Sequence, residues 1–211
     1  MTRAVLWDLD GTLVDSGADI ASAIARMLRR TGRAPLPEAT IRGFVGEGAR
    51  RLVDRCVRAA GGDPSGEDLA IFLDEYRGRL VERTVVYPGV PALLARVRAP
   101  MAVVTNKPED LACGILAALG LAHHFPVVIG GDTLPVRKPD PEPLREALRR
   151  LGATEGVMVG DGAPDVGAAR AAGMPMIGVG WGISTPVGPD VQAEDVAALE
   201  GALRGLGVPL G

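Results

Sequence analysis

The sequence predicts an α/β protein, with a Rossmann-like doubly wound parallel sheet and a helical cap inserted after the first strand. Short apolar segments without polar alternation are typical of strands that are buried on both faces. Helical patterns separate these segments, and strand–helix alternation indicates a parallel sheet with right-handed crossovers. Residues 15–84 follow the first apolar segment and contain no convincing strand, which indicates an insertion.

The predicted strands and their connecting helices alternate along the chain. The strands are short and rich in Val, Ile or Met: 4–9, 101–105, 127–131, 156–161 and 174–179. Each connecting helix has a proline near its start and stops at a glycine, the usual placement of these residues at helix ends. These helices are 108–120, 141–152 and 163–173.

The insertion is predicted to be helical. Ile20, Ile24 and Leu28 recur at helical spacing, and Ser16 can cap the helix that contains them. Turn-rich links separate it from two more helices, so that the predicted helices are 18–30, 48–61 and 67–83. The predicted division is a core of residues 1–14 and 85–211 and a cap of residues 15–84.

The composition limits the classes of protein. The chain has 211 residues, of which 47% are hydrophobic and 23% charged, enough apolar material for a sizeable core. A net charge of −3 argues against a nucleic-acid partner, and the apolar segments are too short to span a membrane. Isolated Cys56 and Cys113, with no signal-peptide pattern, predict a cytoplasmic protein. The oligomeric state, monomer or homodimer, is left open.

Polar residues follow the predicted strands at the edge where ligands bind in open parallel sheets. Several carboxylates without His or Cys suit Mg²⁺, and hydroxyl, amide and ammonium groups suit a phosphate. One carboxylate could attack phosphorus while a neighbour moves protons. For Asp8 and Asp10 the alternative is a simple Asp-Gly turn. The residues in question are Asp8, Asp10, Thr105, Asn106, Lys107, Lys138, Asp161 and Asp165.

Both lysines of the chain belong to this set. Of 23 basic residues other than histidine, only Lys107 and Lys138 are lysines. Where arginine serves as the general surface cation, a lysine indicates a place that needs a compact ammonium. Lys138 is therefore a candidate for neutralising phosphoryl charge. For Lys107, substrate binding and an electrostatic supporting role both stay open.

Four motifs in order, "DLDGT", "TNK", an isolated "KP" and "GDGAPD", resemble the haloacid dehalogenase-like hydrolase superfamily. Longer stretches such as "VIGGDTLPVRKPDPEPL" are similar to its phosphoglycolate phosphatase branch. The resemblance covers essentially the whole chain. It implies Asp8 as nucleophile, Asp10 as general acid and base, and Lys138 as the neutralising cation.

The resemblance also implies a ligand set. Mg²⁺ would be bound by the Asp8 carboxylate, the Asp10 backbone carbonyl and Asp161, with Asp165 in support. Phosphoryl oxygens would be bound by the backbone N–H groups of Gly11 and Thr12, by Thr105, and by the amide of Asn106. The partner would be a small phosphorylated metabolite, first of all 2-phosphoglycolate, hydrolysed through an aspartyl-phosphate on Asp8.

Two alternatives stay open. The core motifs contact only the phosphoryl group, so pyrophosphate or a sugar phosphate could be the substrate instead. A non-catalytic phosphate-binding protein is a third reading, which the full set of candidate catalytic residues disfavours. Recognition of a substrate carboxylate is predicted to fall to Arg50 of the insertion, or else Arg50 is a solvated surface charge.

Overall fold

The computed structural model describes residues 3–211, so that the first two residues of the predicted core segment lie outside it. The strands within the described residues are β1 (Ala4–Trp7), β2 (Val14–Asp15), β3 (Val85–Val86), β4 (Met101–Val104), β5 (Val127–Ile129), β6 (Gly156–Gly160), β7 (Met176–Val179) and β8 (Val191–Ala193). Six of them form one sheet in the order β5-β4-β1-β6-β7-β8. All neighbours in this sheet are parallel, which confirms the predicted fold class.

The α-helices of the described chain are α1 (Gly17–Arg30), α2 (Glu38–Arg42), α3 (Ala49–Ala59), α4 (Gly66–Arg77), α5 (Val90–Arg96), α6 (Glu109–Ala118), α7 (Glu142–Leu151), α8 (Ala163–Ala172) and α9 (Val196–Gly205). The three predicted connecting helices are confirmed as α6, α7 and α8. The elements that were not predicted are the core helices α5 and α9, the short inserted helix α2, and the strands β2, β3 and β8. The strand β8 has only three residues and exposes Gln192, so it lacks the continuous apolar segment of a buried strand.

Four helices, α1 to α4, connect β2 to β3. The predicted helix 67–83 is too long, because α4 ends at Arg77, before Gly78. Its start is fixed by a reciprocal capping box between Ser65 and Asp68. The chain enters and leaves this helical segment through an antiparallel ribbon in which Val14 pairs with Val86 and Asp15 with Val85.

The central strand β1 is completely covered. Alternate residues of the strand face opposite layers, as a pleated strand requires. Val5 and Trp7 belong to a large apolar cluster that continues into α1, α3 and α4, whereas Leu6 belongs to a second cluster with α7 and α8. The inserted helices therefore share an apolar core with one face of the sheet. Across the described residues, none of the helices has the length and apolar character needed to cross a bilayer.

Candidate active site

The three central strands end side by side, and their following loops form the site. β1 lies between β4 and β6, so the loops that begin at Asp8, Thr105 and Asp161 leave the same edge of the sheet. The loop that carries Lys138 reaches the same edge, because its ammonium contacts the Val104 carbonyl at the end of β4. The predicted convergence of the polar residues at this edge is confirmed.

Lys138 holds the nucleophile candidate in place. Its buried Nζ lies 3.0 Å from Asp8 Oδ1 and donates to Asp165 Oδ1 and to the Val104 carbonyl, each at 2.5 Å. These oxygens take all three ammonium donors. Burial alone would lower the pKa of Lys138, but the carboxylates of Asp165 and Asp8 outweigh it, so the pKa lies above its ordinary value. Lys138 is therefore a fixed cation beside Asp8.

Asp8, Asp161 and Asp165 form a compact carboxylate cluster. One oxygen of each lies within 4.8 Å of the others. Burial, reinforced by the neighbouring carboxylates, raises the pKa of Asp8 to about 7 and that of Asp161 to about 8. Because these clustered carboxyl groups are costly to ionise, their ionised forms favour a divalent cation beside them. A donor set made only of oxygen atoms suits Mg²⁺. The residues present fit a magnesium ion.

Two loops fix Asp161 and Asp165. The Ser184 N–H donates to Asp161 Oδ2 at 2.8 Å. Asp165 accepts the Gly162 N–H at 3.0 Å and so caps α8 while it binds Lys138. Gly11 has a φ of +86°, and a Cβ there would collide with the Asp161 carboxylate. The glycine after Asp10 is thus needed both for the turn and for the room it leaves beside the cluster.

The Asp10 carboxylate lies outside that cluster and has its own cation. Lys107 Nζ donates to Asp10 Oδ1 at 2.9 Å and to Oδ2 at 2.8 Å, and the Ser16 hydroxyl donates to Oδ1 at 2.5 Å. Ser16 precedes α1 as predicted, but its side chain makes no cap hydrogen bond. Its hydroxyl donates a hydrogen bond to Asp10 instead. Hydrophobic spacing indicated the helix start, but nothing local to Ser16 indicated this contact.

Several predicted phosphate donors make other hydrogen bonds in the structure. The N–H groups of Gly11 and Thr12 donate within their own loop, to the Val14 carbonyl at 2.9 Å and the Leu9 carbonyl at 3.3 Å. The Asn106 amide nitrogen donates to the carbonyls of Gly46 and Lys138, at 3.0 Å each.

Three of the four predicted phosphate contacts thus have their donors engaged in other hydrogen bonds. Asn106 instead ties together the loops on either side of the site. The Thr105 hydroxyl accepts the Lys107 N–H at 3.3 Å and leaves its own proton for a ligand.

A cavity opens between Asp8 and the inserted helices. The inserted helices and their links supply mainly apolar side chains to it, whereas the β4 loop supplies polar ones. Tyr76 of α4 places its ring 4.7 Å from Lys107 Nζ, a contact that the sequence did not indicate. The apolar lining residues are Ile20, Val45, Leu52, Phe72, Tyr76 and Leu111.

Arg50 does not line this cavity, contrary to the prediction. It is exposed, and its guanidinium donates to the Ser65 carbonyl at 3.3 Å, at the start of α4. Its neighbour Arg51 is also exposed and pairs with Glu47. The rotation of α3 explains the difference: Leu52 and Val53 take the buried face, which turns Arg50 outward.

Comparison with known proteins gives a consistent result. A family model described as haloacid dehalogenase-like hydrolase matches residues 2–173. A phosphoglycolate phosphatase of Cupriavidus necator is 44% identical over 200 residues, covering 91% of this chain and 87% of the relative. A phosphoglycolate phosphatase of Chromobacterium violaceum is 41% identical over 209 residues, covering 93% and 94%.

Solved structures agree. The crystal structure of a predicted phosphoglycolate phosphatase from Haemophilus somnus superposes with a TM-score of 0.88 at 29% identity, covering 95% of this chain and 97% of the other. A putative phosphoglycolate phosphatase from Lactobacillus delbrueckii gives a TM-score of 0.84 at 25% identity, covering 96% and 99%.

Proposed function

The chain belongs to the haloacid dehalogenase-like hydrolase family, and on this premise we propose that it is a Mg²⁺-dependent phosphatase that hydrolyses 2-phosphoglycolate to glycolate and phosphate. The observation that carries the proposal is the pair Asp8 and Asp10, each with its own buried lysine, beside a three-carboxylate cluster. A turn or a passive phosphate site needs neither the paired cations nor the raised pKa of Asp8.

The residues divide the reaction into two steps. An Asp8 carboxylate oxygen attacks phosphorus, the bond between phosphorus and the glycolate oxygen breaks, and Asp10, which must be protonated as this step begins, gives its proton to that oxygen. Asp10 then removes a proton from water, which attacks phosphorus of the aspartyl-phosphate and returns Asp8 as a carboxylate. The products are glycolate and inorganic phosphate. Lys138 keeps the Asp8 carboxylate in place through both steps.

The metal would be held by Asp8 and Asp161, with Asp165 beside them and the Asp10 backbone carbonyl as a further ligand. When bound, Mg²⁺ would offset the negative charge of the phosphoryl oxygens and of the carboxylate cluster. The chain's own contribution is to hold Asp161 through the Ser184 N–H and Asp165 through Lys138.

The choice of substrate follows from the cavity and the relatives. Among the residues lining the cavity the cation is Lys107, whose ammonium is bonded to Asp10. The single charge of a glycolate carboxylate suits this lining better than a second phosphoryl group with a charge of about −1.5 to −2, which disfavours pyrophosphate and sugar bisphosphates. A small monophosphate fits better, and the two relatives named above are phosphoglycolate phosphatases. A simple sugar monophosphate is the remaining alternative.

We further infer that residues 15–84 act as a cap. The helices α1, α3 and α4 supply apolar side chains to the cavity opposite Asp8. An apolar cover excludes water while the leaving group departs. The cytoplasmic location and the monomeric or homodimeric state stay predictions.

Phosphate release from a panel of substrates tests the proposal. The panel contains 2-phosphoglycolate, pyrophosphate, glucose 6-phosphate and p-nitrophenyl phosphate, each with Mg²⁺ and with a chelator, and Asp8→Asn is the control. We expect kcat/KM to be highest for 2-phosphoglycolate and release to need Mg²⁺. A higher value for glucose 6-phosphate would favour the alternative, and no release from any substrate would indicate a binding protein.

A further inference from the structure

Lys107 has a place in the site that the hydrolytic scheme leaves unexplained. It is buried, its ammonium is bonded to both Asp10 oxygens, and the Tyr76 ring covers it from the inserted helices. Two of its three N–H donors are thus taken by one carboxylate, and the ammonium faces an aromatic ring. Lys107 therefore has little capacity left to bind a substrate directly.

The Asp10 carboxylate is held by three hydrogen bonds from two side chains. Lys107 Nζ binds both oxygens, and the Ser16 hydroxyl binds Oδ1 from the start of α1. A free Asp side chain would exchange between rotamers, whereas one with three hydrogen bonds keeps one orientation. The orientation of Asp10 is thus set by one core residue, Lys107, and by two residues of the inserted segment, Ser16 and Tyr76.

The chemistry of lysine suits this task. An ammonium is a compact charge that can lie between a carboxylate and a ring face, whereas the planar guanidinium would occupy more of the cavity. This agrees with a lysine at this position in a chain that, apart from Lys138, uses arginine. The Tyr76 ring is itself buried and stacks on Phe72, with centroids 5.7 Å apart, so its position depends on the packing of α4.

We propose that Lys107 is a positioning residue that holds Asp10 in the orientation needed for proton transfer, and that Tyr76 of the inserted helices keeps Lys107 in place. This inference rests on the proposed phosphatase function. In this proposal Lys107 acts on Asp10, which protonates the leaving group, and does not bind the phosphoryl oxygens. It also makes the inserted helices part of the proton-transfer machinery, beyond their contact with substrate.

The first experiment compares leaving groups. Lys107→Met removes the charge at similar volume, and kcat/KM reports all steps up to departure of the alcohol. We expect kcat/KM for 2-phosphoglycolate to fall on the order of 100-fold, since its alkoxide needs the proton. For p-nitrophenyl phosphate, whose leaving group needs little protonation, we expect a fall of less than about tenfold. Lys107→Arg, which keeps a positive charge, should recover part of the loss.

Equal falls for the two substrates would overturn the proposal, because a substrate-binding or purely structural Lys107 would affect both. Arg149→Met serves as the control, since Arg149 is an exposed cation of α7 paired with Glu142 and Glu146. A wild-type protein that hydrolyses neither substrate would instead count against the proposed function itself. The two failures are therefore distinguishable.

The second experiment is a double-mutant cycle. If Lys107 acts through Asp10, adding Lys107→Met to Asp10→Asn should change kcat/KM for 2-phosphoglycolate by less than about twofold. Additive losses would mean that Lys107 acts on its own and would overturn the proposal. Thermal unfolding of each variant checks that the fold persists.

Tyr76 offers a test that does not depend on a folded Lys107 variant. Tyr76→Leu removes the ring, and Tyr76→Phe keeps it. We expect the ratio of kcat/KM for 2-phosphoglycolate to that for p-nitrophenyl phosphate to fall several-fold in Tyr76→Leu and to fall less in Tyr76→Phe. The same ratio in both variants as in the wild type would exclude a role for the ring.

Discussion

The two aspartate–lysine pairs of the site are built from different parts of the molecule. Lys138, which lies against Asp8, is also bonded to the Val104 carbonyl of β4 and to Asp165 of α8, both outside the inserted segment. Asp10 and Lys107 are held by Ser16 and Tyr76, which come from the inserted segment. The side-chain and carbonyl contacts of the first pair therefore come from the core, whereas those of the second pair come also from the insertion.

The surroundings of the two pairs differ as well. Beside Asp8 lie two more carboxylates, and burial raises its pKa to about 7. Beside Asp10 lies the Ser16 hydroxyl, and the ammonium of its partner Lys107 faces the Tyr76 ring. The first pair is thus suited to bind a cation, and the second to hold one carboxylate in one orientation. The predictions below each affect one of the two pairs, except the last, which affects neither.

Asp8→Asn affects the first pair most strongly. We expect no measurable turnover of any phosphomonoester, because an amide cannot attack phosphorus and no acyl phosphate can form. Phosphate release and trapping of the phosphorylated protein by acid quench measure the effect. Unfolding temperatures close to the wild type would show that the loss is chemical. Near-normal phosphate release would contradict the role of Asp8 as nucleophile.

Asp10→Asn affects the second pair. We expect kcat/KM for 2-phosphoglycolate to fall roughly 10²–10⁴-fold, the usual range for general acid–base catalysis. The fall should be smaller for p-nitrophenyl phosphate, whose leaving group needs less protonation. Steady-state kinetics on both substrates decide the matter. Equal losses would argue that Asp10 supports binding and not proton transfer.

Magnesium affinity should depend on pH through Asp8 of the first pair and its neighbour Asp161. Asp8 and Asp161 carry protons below pKa values of about 7 and 8, and Mg²⁺ must displace them. We therefore expect the Mg²⁺ dissociation constant to fall about tenfold or more from pH 6 to pH 8. Titration calorimetry or a thermal shift with Mg²⁺ measures it, and Asp161→Asn should weaken the dependence. A Mg²⁺ dissociation constant that does not change with pH would contradict this expectation.

The same raised pKa values give the metal-free protein a pH-dependent stability. Between the ordinary Asp value near 3.8 and the values of about 7 and 8, the folded state binds protons that the unfolded state has lost. The free energy of unfolding therefore falls as the pH rises through this interval. Added Mg²⁺ should raise the unfolding temperature more at pH 8 than at pH 6. The reverse order would show that the cluster does not bind the ion as carboxylates.

Arg50→Ala should have the smallest effect, since Arg50 touches neither pair. It is exposed, and within residues 3–211 its guanidinium donates to the Ser65 carbonyl. We expect kcat/KM for 2-phosphoglycolate and for p-nitrophenyl phosphate each to change less than about twofold, within the usual range for surface substitutions. A loss confined to 2-phosphoglycolate would restore Arg50 as the carboxylate contact and would require α3 to rotate when substrate binds.

The residues of the first pair could be predicted from the sequence, and those around the second pair only in part. Short apolar segments end at Asp8 and Asp161, and another is followed by the loop that carries Lys138. The topology of a parallel sheet therefore brings the three residues together. Ser16 and Tyr76 lie on helices whose mutual packing no local pattern encodes. Arg50 was misplaced for the same reason, because its direction depends on the rotation of α3 about its axis.

Backbone hydrogen bonds limited the prediction at the phosphate site. Gly11 and Asn106 were expected to donate to a ligand, but their donors are taken by Val14 and by the carbonyls of Gly46 and Lys138. Such pairing depends on where distant loops meet. The sequence indicates which groups are able to donate, while the folded chain decides which of them stay free.

The ribbon of β2 and β3 affects how much the inserted segment can vary in length. Because Val14 pairs with Val86, the ribbon itself holds the two ends of the inserted segment together, whatever the inserted helices do. The entropy of closing a flexible loop grows only with the logarithm of its length, about 0.6 kcal/mol for each doubling. Lengthening, shortening or replacing the segment between these two valines would therefore change the closure entropy little. The sheet can accept inserted segments of very different size at this point, and each new segment would present a new surface to Asp10.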